Sequence, residues 1–235
     1  MSAMSDYAFP PPATPSVAVA ASSRRFPVHR IYCVGLNYAD HIREMGADPA
    51  APPLFFMKPA DAVVANGAPI PYPSVTTNFH YEIELVVAIG RGGREVSIED
   101  ALGHVFGYAT GNDLTRRDLQ HAAKKRGEPW DTAKGFDCSA PVSAIRPASQ
   151  GHVSQGRIWL AVNGERRQES DVSTMVWDVP HIIAALSKLY ELKAGDLIFT
   201  GTPSGVGPLR PGDRLEGGIE GLEVLRNHIV PAQPA

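Results

Sequence analysis

The chain has 235 residues, a formal net charge of −3 and two cysteines. That length buries a sizeable core in one domain or two small ones, and the near-balanced charge recommends neither nucleic acid nor an acidic membrane as a partner. Cys33 and Cys138 are too few for a disulfide framework and suit reduced thiols in a cytoplasmic protein, while no apolar run nears the ~18 residues of a membrane span and no secretory signal pattern opens the chain.

Residues 1–26 are rich in Pro, Ala and Ser and read as an extended or flexible leader, with Val17 and Val19 able to add a short edge strand. From 27 to 235 no composition shift marks a boundary, so a single domain is expected. Residues 31–35 form an apolar strand, and Asp40 opens a short helix that Gly46 stops near Met45. A proline-dense loop follows at 47–53, then strands at 54–57 and 62–65 and a prolyl turn at 69–73. Residues 81–90 read as one strand, closed by the turn-like Arg91-Gly92-Gly93. Ser97 starts a helix of one or two turns, and 104–112 is a strand interrupted by Gly107. Thr115-Arg116-Arg117-Asp118 resembles a capping box, with Asp for Glu, opening a helix to about Arg126. The Lys124-Lys125-Arg126 end of that helix reads as solvated, and Lys134 falls in a loop rich in breakers. Further on come a strand at 157–163, an Asn163-Gly164 hairpin turn and a return strand. The amphipathic helix 179–189 places Ile182, Ile183, Leu186 and Leu189 on one side. A buried strand at 197–200 runs straight into the glycine-rich 201–208. Short strands at 213–216 and 222–226 flank Gly217-Gly218. The pattern is α+β, dominated by antiparallel strands.

The stretch 81–90 carries the chemistry. Glu82 and Glu84 are two apart on a strand, so they share a face about 7 Å apart and repel by about 2.5 kcal/mol at an effective dielectric near 20. Burial among Val and Ile adds desolvation cost. A cation or a shared proton would offset both terms, and paired oxygen ligands favour magnesium, manganese or calcium. A half-exposed strand with two glutamates on its polar side fits the same spacing. Asp113, at a strand-to-helix junction, suits either a helix cap or a third acidic ligand. Arg117 and Gln120 lie three apart on the following helix and share a face; with Lys134 they could hold an oxyanion or a carboxylate. His41 and Glu44 are also three apart, a spacing that suits a general base with its orienting acid or an ordinary surface pair. The glycine-rich segment permits close backbone approach to an anion, but it is neither a Walker loop nor a dinucleotide fingerprint. No nucleophile elbow is present, and metal-assisted acid–base chemistry is better supported than covalent catalysis.

Gly35-Leu36-Asn37-Tyr38 with His41 and Glu44, Lys58-Pro59, Tyr81-Glu82-Ile83-Glu84-Leu85, Gly107-Tyr108 leading to Asp113, and Arg117-Asp118-Leu119-Gln120 together resemble the fumarylacetoacetate hydrolase family. Lys134-Gly135-Phe136-Asp137 and the 200–208 segment extend the match from about residue 27 to the end, and its form is similar to the bacterial members that act on fumarylpyruvate. The resemblance implies a mixed β-sandwich roll in one catalytic domain, usually a homodimer. It implies magnesium or manganese on Glu82, Glu84 and Asp113, and a water-activating His41–Glu44 dyad on a lid. By the same carry-over Arg117, Gln120 and Lys134 contact the oxyanion and carbonyls, Thr202 holds the substrate carboxylate, and Lys58 adds a substrate contact. The implied activity is hydrolysis of the C–C bond of an acylpyruvate, with fumarylpyruvate giving fumarate and pyruvate in gentisate breakdown. Oxaloacetate decarboxylation and isomerisation of a hydroxymuconate-type dioate would use the same metal-stabilised enolate. A non-catalytic 2-oxo acid binder is the alternative from another class.

Overall fold

Short runs of β-branched and aromatic residues, punctuated by Pro and Gly, favour strands over helices. Strands dominate the computed structural model, which describes residues 7–44 and 52–232. The largest sheet runs Leu54–Lys58, Ile31–Gly35, Leu197–Phe199, Ile83–Ile89, Val105–Asn112, Ala140–Val142, Val63–Ala65, with Arg146–Pro147 added beside Val105–Asn112. A second sheet runs Glu165–Asp171, Arg157–Val162, Arg214–Ile219, Leu225–Val230, Pro69–Pro71. Three of the strand pairs are parallel: Ile31–Gly35 with Leu197–Phe199, Ala140–Val142 with Val63–Ala65, and Leu225–Val230 with Pro69–Pro71. The rest are antiparallel, giving the α+β mixed roll expected. Four short helices complete it: α1 (Ala39–Glu44), α2 (Arg117–Arg126), α3 (Asp131–Lys134) and α4 (Val179–Leu189). None of the described helices is long and apolar enough to cross a membrane.

Ile83–Ile89 is the central strand, buried along its whole length. Period-two alternation sends Ile83, Leu85, Val87 and Ile89 into the larger core with Ile158, Leu160, Leu215 and Ile219 of the second sheet. Val86 and Ala88 face the other way, into a core with Ile31, Cys33, Ala109 and Phe199. Glu84 shares their parity, so its carboxyl is directed into packed protein. Within the stretch 1–26, Ser16–Ala18 pairs with Arg25–Pro27, and Val17 and Val19 are buried in that second core.

Several local expectations are corrected. The strand at 81–90 breaks at Glu82, because Phe79–Tyr81 leaves to pair with Thr115–Arg116 and Gly207–Pro208 in a separate three-stranded sheet. Gly107 does not interrupt Val105–Asn112; a Cβ there would stand 2.4 Å from the Arg146 carbonyl oxygen, so glycine is what lets that neighbour pair. The capping box does not form: α2 starts at Arg117, and the Thr115 hydroxyl instead donates to Glu82 Oε1 and the Asp113 carbonyl. The prolyl turn at 69–73 contains a strand, Pro69–Pro71, at the edge of the second sheet, where Pro is tolerated. Gly217 and Gly218 lie inside Arg214–Ile219 rather than between strands, close under Ile83 and Trp159. The turn begun at Ser97 yields a 3-10 turn at Ala101–His104, and Lys134 ends the one-turn α3 instead of lying in a loop. The expected helix stop at Gly46 and most of the proline-dense loop fall on 45–51, outside the described residues.

Candidate metal-centred active site

The strand break at Glu82 frees its N–H from the sheet ladder, and Asn112 Oδ1 accepts it at 2.8 Å. The Asp113 N–H donates to the Glu82 carbonyl at 2.8 Å, which brings Asp113 beside the two glutamates. One carboxylate oxygen from each of Glu82, Glu84 and Asp113 lies within 4.8 Å of the others, and all three residues are buried. That span suits oxygens bound at about 2.0–2.6 Å to one ion.

Three cations stand around the triad. Lys134 Nζ donates to Glu82 Oε2 at 2.8 Å and to Asp113 Oδ2 at 2.7 Å. Arg117 donates Nη2 to Glu82 Oε1 and Nη1 to Gln120 Oε1. Lys58 Nζ sits 2.8 Å from Asp113 Oδ1 and donates to the Leu114 and Lys134 carbonyls. Burial would raise the Glu82 carboxyl, but the charges of Lys134 and Arg117 outweigh it and hold it below the usual carboxylate range. Glu84 is the exception. It accepts the Gly201 N–H at 2.8 Å, yet has no ion-pair partner among the described residues. Burial, then the charges of Asp113 and Glu82, push its carboxyl well above the ordinary value. A hard divalent ion supplies the missing positive charge, so the donor set fits magnesium or manganese.

The glycine-rich segment makes a close backbone approach to the Glu84 carboxyl. Gly201 sits at φ 97°, and a Cβ there would lie 2.6 Å from Asn37 Cβ. Asn37 fastens the start of α1 to this loop: its Nδ2 donates to the Thr200 and Trp177 carbonyls, and its Oδ1 accepts the Trp177 N–H. His41, one turn along α1, is thereby held buried in the wall of a small cavity of about 20 Å3. The same cavity is lined by Glu82, Glu84, Asp113, Arg117, Gln120, Lys134 and Thr202. Thus most of the residues singled out in the sequence converge. Lys58 does not line the cavity; its side chain is fully enclosed behind Asp113. The expected partner of His41, the Glu44 side chain, lies outside the described residues.

Sequence reasoning missed several members. Gln168 is buried in the second sheet; its Oε1 accepts the Ile83 N–H, and its Nε2 donates to Thr202 Oγ1 and the Pro203 carbonyl. It ties the central strand to the cavity-lining loop at Thr202, but its neighbours Arg166, Arg167 and Glu169 are exposed, so nothing local marks it. Asn112 and Thr115 flank Asp113, and that adjacency was the available signal. Phe56 lies in the strand expected and Lys124 is at the exposed helix end expected, but neither reading foretold that both, with Trp130, also line the cavity.

The family model for the fumarylacetoacetate hydrolase C-terminal region matches residues 30–230. The chain belongs to the fumarylacetoacetate hydrolase family. It is 46% identical to the mitochondrial oxaloacetate tautomerase FAHD1 of Pongo abelii, over 83% of this chain and 89% of that one. It is 45% identical to a fumarylpyruvate hydrolase of a Ralstonia species, over 76% of this chain and 93% of that one. Among solved structures, the fumarylpyruvate hydrolase of Pseudomonas aeruginosa in complex with Mn2+ and pyruvate superimposes with a TM-score of 0.94 at 50% identity, covering 96% of this chain and 100% of that one. Members of this enzyme family are thus named as hydrolases and as oxaloacetate enzymes, and the Mn2+ complex agrees with the buried acidic triad here.

Proposed function

We propose that this protein is a metal-dependent acylpyruvate hydrolase that converts fumarylpyruvate to fumarate and pyruvate, working as a cytoplasmic homodimer in aromatic breakdown. The observation that carries the reading is the shared cavity: a buried imidazole, His41, lines the same space as the acidic triad and the Arg117, Gln120 and Lys134 donors. A divalent ion on Glu82, Glu84 and Asp113 would supply positive charge against which a departing enolate is stabilised.

The chain's own groups do the rest. The His41 imidazole takes a proton from water, with Glu44 orienting it, and the water oxygen attacks the acyl carbonyl carbon. Lys134 is suited to hold the resulting oxyanion as a cation: burial would lower its pKa, but Asp113 and Glu82 outweigh that and raise it. Arg117 and Gln120 add donors, a type of contact worth about 3–4 kcal/mol each. Collapse breaks the bond between the acyl carbon and the methylene; the electron pair leaves as pyruvate enolate, which regains a proton to give pyruvate. Thr202, steadied by Gln168, holds the substrate carboxylate, and Lys58 fixes Asp113 from behind.

Oxaloacetate is the second reading, favoured by the 46% identity to a protein of that name; there a proton moves, or carbon dioxide leaves, without attack by water. Purified protein with magnesium or manganese is given fumarylpyruvate, acetylpyruvate and oxaloacetate while enol absorbance and products are followed. Stoichiometric fumarate and pyruvate are expected. Oxaloacetate turnover with intact acylpyruvates would overturn the hydrolase reading.

A further inference from the structure

The cavity has a second end that the triad does not explain. Its outer wall is aromatic: Phe56 and Trp130 lie with ring centroids 5.7 Å apart. Lys124 crosses the wall with its ammonium 4.9 Å from the Trp130 ring centroid. Lys124 lies seven residues after Arg117 and four after Gln120, hence on the same face of α2, about 6 Å farther along the axis than Gln120. The other cations at the site are engaged: Lys58, Arg117 and Lys134 each pair with Glu82 or Asp113. Lys124 has no carboxylate within ion-pair distance among the described residues, although it lines the cavity. Lys124 is an exposed residue at the cavity edge; desolvation of its ammonium, and then the charge of Arg117, lower its pKa.

We propose that Lys124, with Phe56 and Trp130, forms the subsite for the far end of the substrate and selects linear, dicarboxylic 2-oxo acids with a flat chain. The inference rests on the reading that a 2-oxo acid is held at the triad. The rings pack against the chain, the Lys124 ammonium meets the distal carboxylate, and the cavity mouth rejects acids that end in a methyl group only by the absence of that ion pair. The Trp130 ring holds the Lys124 ammonium beside it, so the charge is pre-positioned at the cavity edge.

The test uses two inert acids of equal length, 2-oxoheptanedioate and 2-oxoheptanoate, titrated calorimetrically into the Mn2+-loaded protein. Neither has a 1,3-dicarbonyl to cleave, so binding is read apart from turnover. The wild type is expected to bind the dioate about tenfold more tightly. Lys124→Met, which keeps an unbranched side chain without the charge, brings the two acids level by weakening the dioate alone; Lys124→Arg keeps the preference. A dioate preference that survives in Lys124→Met, an equal loss for both acids, or no preference in the wild type overturns the proposal. Acylpyruvate turnover by the wild type is measured alongside. Its absence with the dioate preference intact removes the hydrolase reading and leaves the subsite standing.

Discussion

One short strand, Leu197–Phe199, has a buried carboxylate at each end, and the two are treated in opposite ways. Before it, Asp196 is fully buried and closed by partners: His29 Nδ1 at 2.8 Å, Arg30 through Nε at 3.2 Å and Nη2 at 3.1 Å, and the Lys193 N–H at 2.8 Å. His29 keeps half of its side-chain surface in water and the Arg30 cation about a quarter, so the carboxylate is partnered from the rim. Beyond its other end, on the neighbouring strand Ile83–Ile89, Glu84 is equally buried but receives the Gly201 N–H and no cation among the described residues. A carboxylate that serves the fold is fully partnered by the chain. One left short of positive charge, beside two more carboxylates, is built for something the chain does not itself supply.

Substitutions at either end separate the two roles. The largest effect is expected for Glu82→Gln, which keeps the shape and removes one ligand charge. Bound metal, read by elemental analysis, should be lost, and turnover should fall by at least about 10³-fold. Metal retained with full activity would end the triad assignment. His41→Ala should keep the metal and lose about 10²–10⁴-fold in turnover; unchanged turnover removes the imidazole from the mechanism.

Asp196→Asn should do the reverse of Glu82→Gln. It should cost about 3 kcal/mol of stability in denaturant unfolding while metal content stays at wild-type level. Chelating the metal should lower stability by about 2.7 kcal/mol relative to protein with ion at a hundredfold excess over its dissociation constant. An unchanged melting temperature on chelation would mean the triad is satisfied without an ion.

The smallest effect sharpens the contrast with a third carboxylate, Asp118, which is held by hydrogen bonds alone. Partial burial opposes its ionisation, but donors from Thr76, Thr77 and Leu119 outweigh that and hold its carboxyl below the ordinary value. A carboxyl depressed in the folded state adds stability above its unfolded value and loses it as the pH falls through the folded one. Asp118→Asn should therefore cost about 1 kcal/mol near neutrality, with the gap closing in acid. A gap that persists in acid would assign the loss to shape instead of charge.

Where local chemistry was decisive, the sequence could be read directly. The hairpin at Asn163-Gly164 takes the positive φ angles such a turn requires, 53° and 83°. The helix Val179–Leu189 falls on its expected bounds, capped by Asp178 through the His181 N–H. Glu82 and Glu84 do meet at one site, but Glu82 stands at the break between two strands, so its direction depends on the Asn112 and Asp113 hydrogen bonds and not on strand period alone. The local rules failed where a residue had two partners of similar worth. Thr115 could cap α2 or bond Glu82, and the site took it. Lys58, made a substrate contact by the resemblance and not by any local rule, is enclosed against Asp113 and two carbonyls.

By itself, then, the chain determined which stretch carries closely spaced acids, which oxygen-rich donors could hold a hard ion, and where its hairpin turn and the helix Val179–Leu189 fall; these depend on spacing and on backbone angles within a few residues. Only the tertiary structure decided that the strand parts at Glu82, that Gly201 holds Glu84, that Gln168 reaches Thr202 from the second sheet, and that Lys124 joins an aromatic wall. Those choices join residues as far apart as Gly201 and Glu84, 117 positions, or His80 and Pro208, which are farther still. Their energies depend on burial and on which charges are left unpaired, and no local pattern records either.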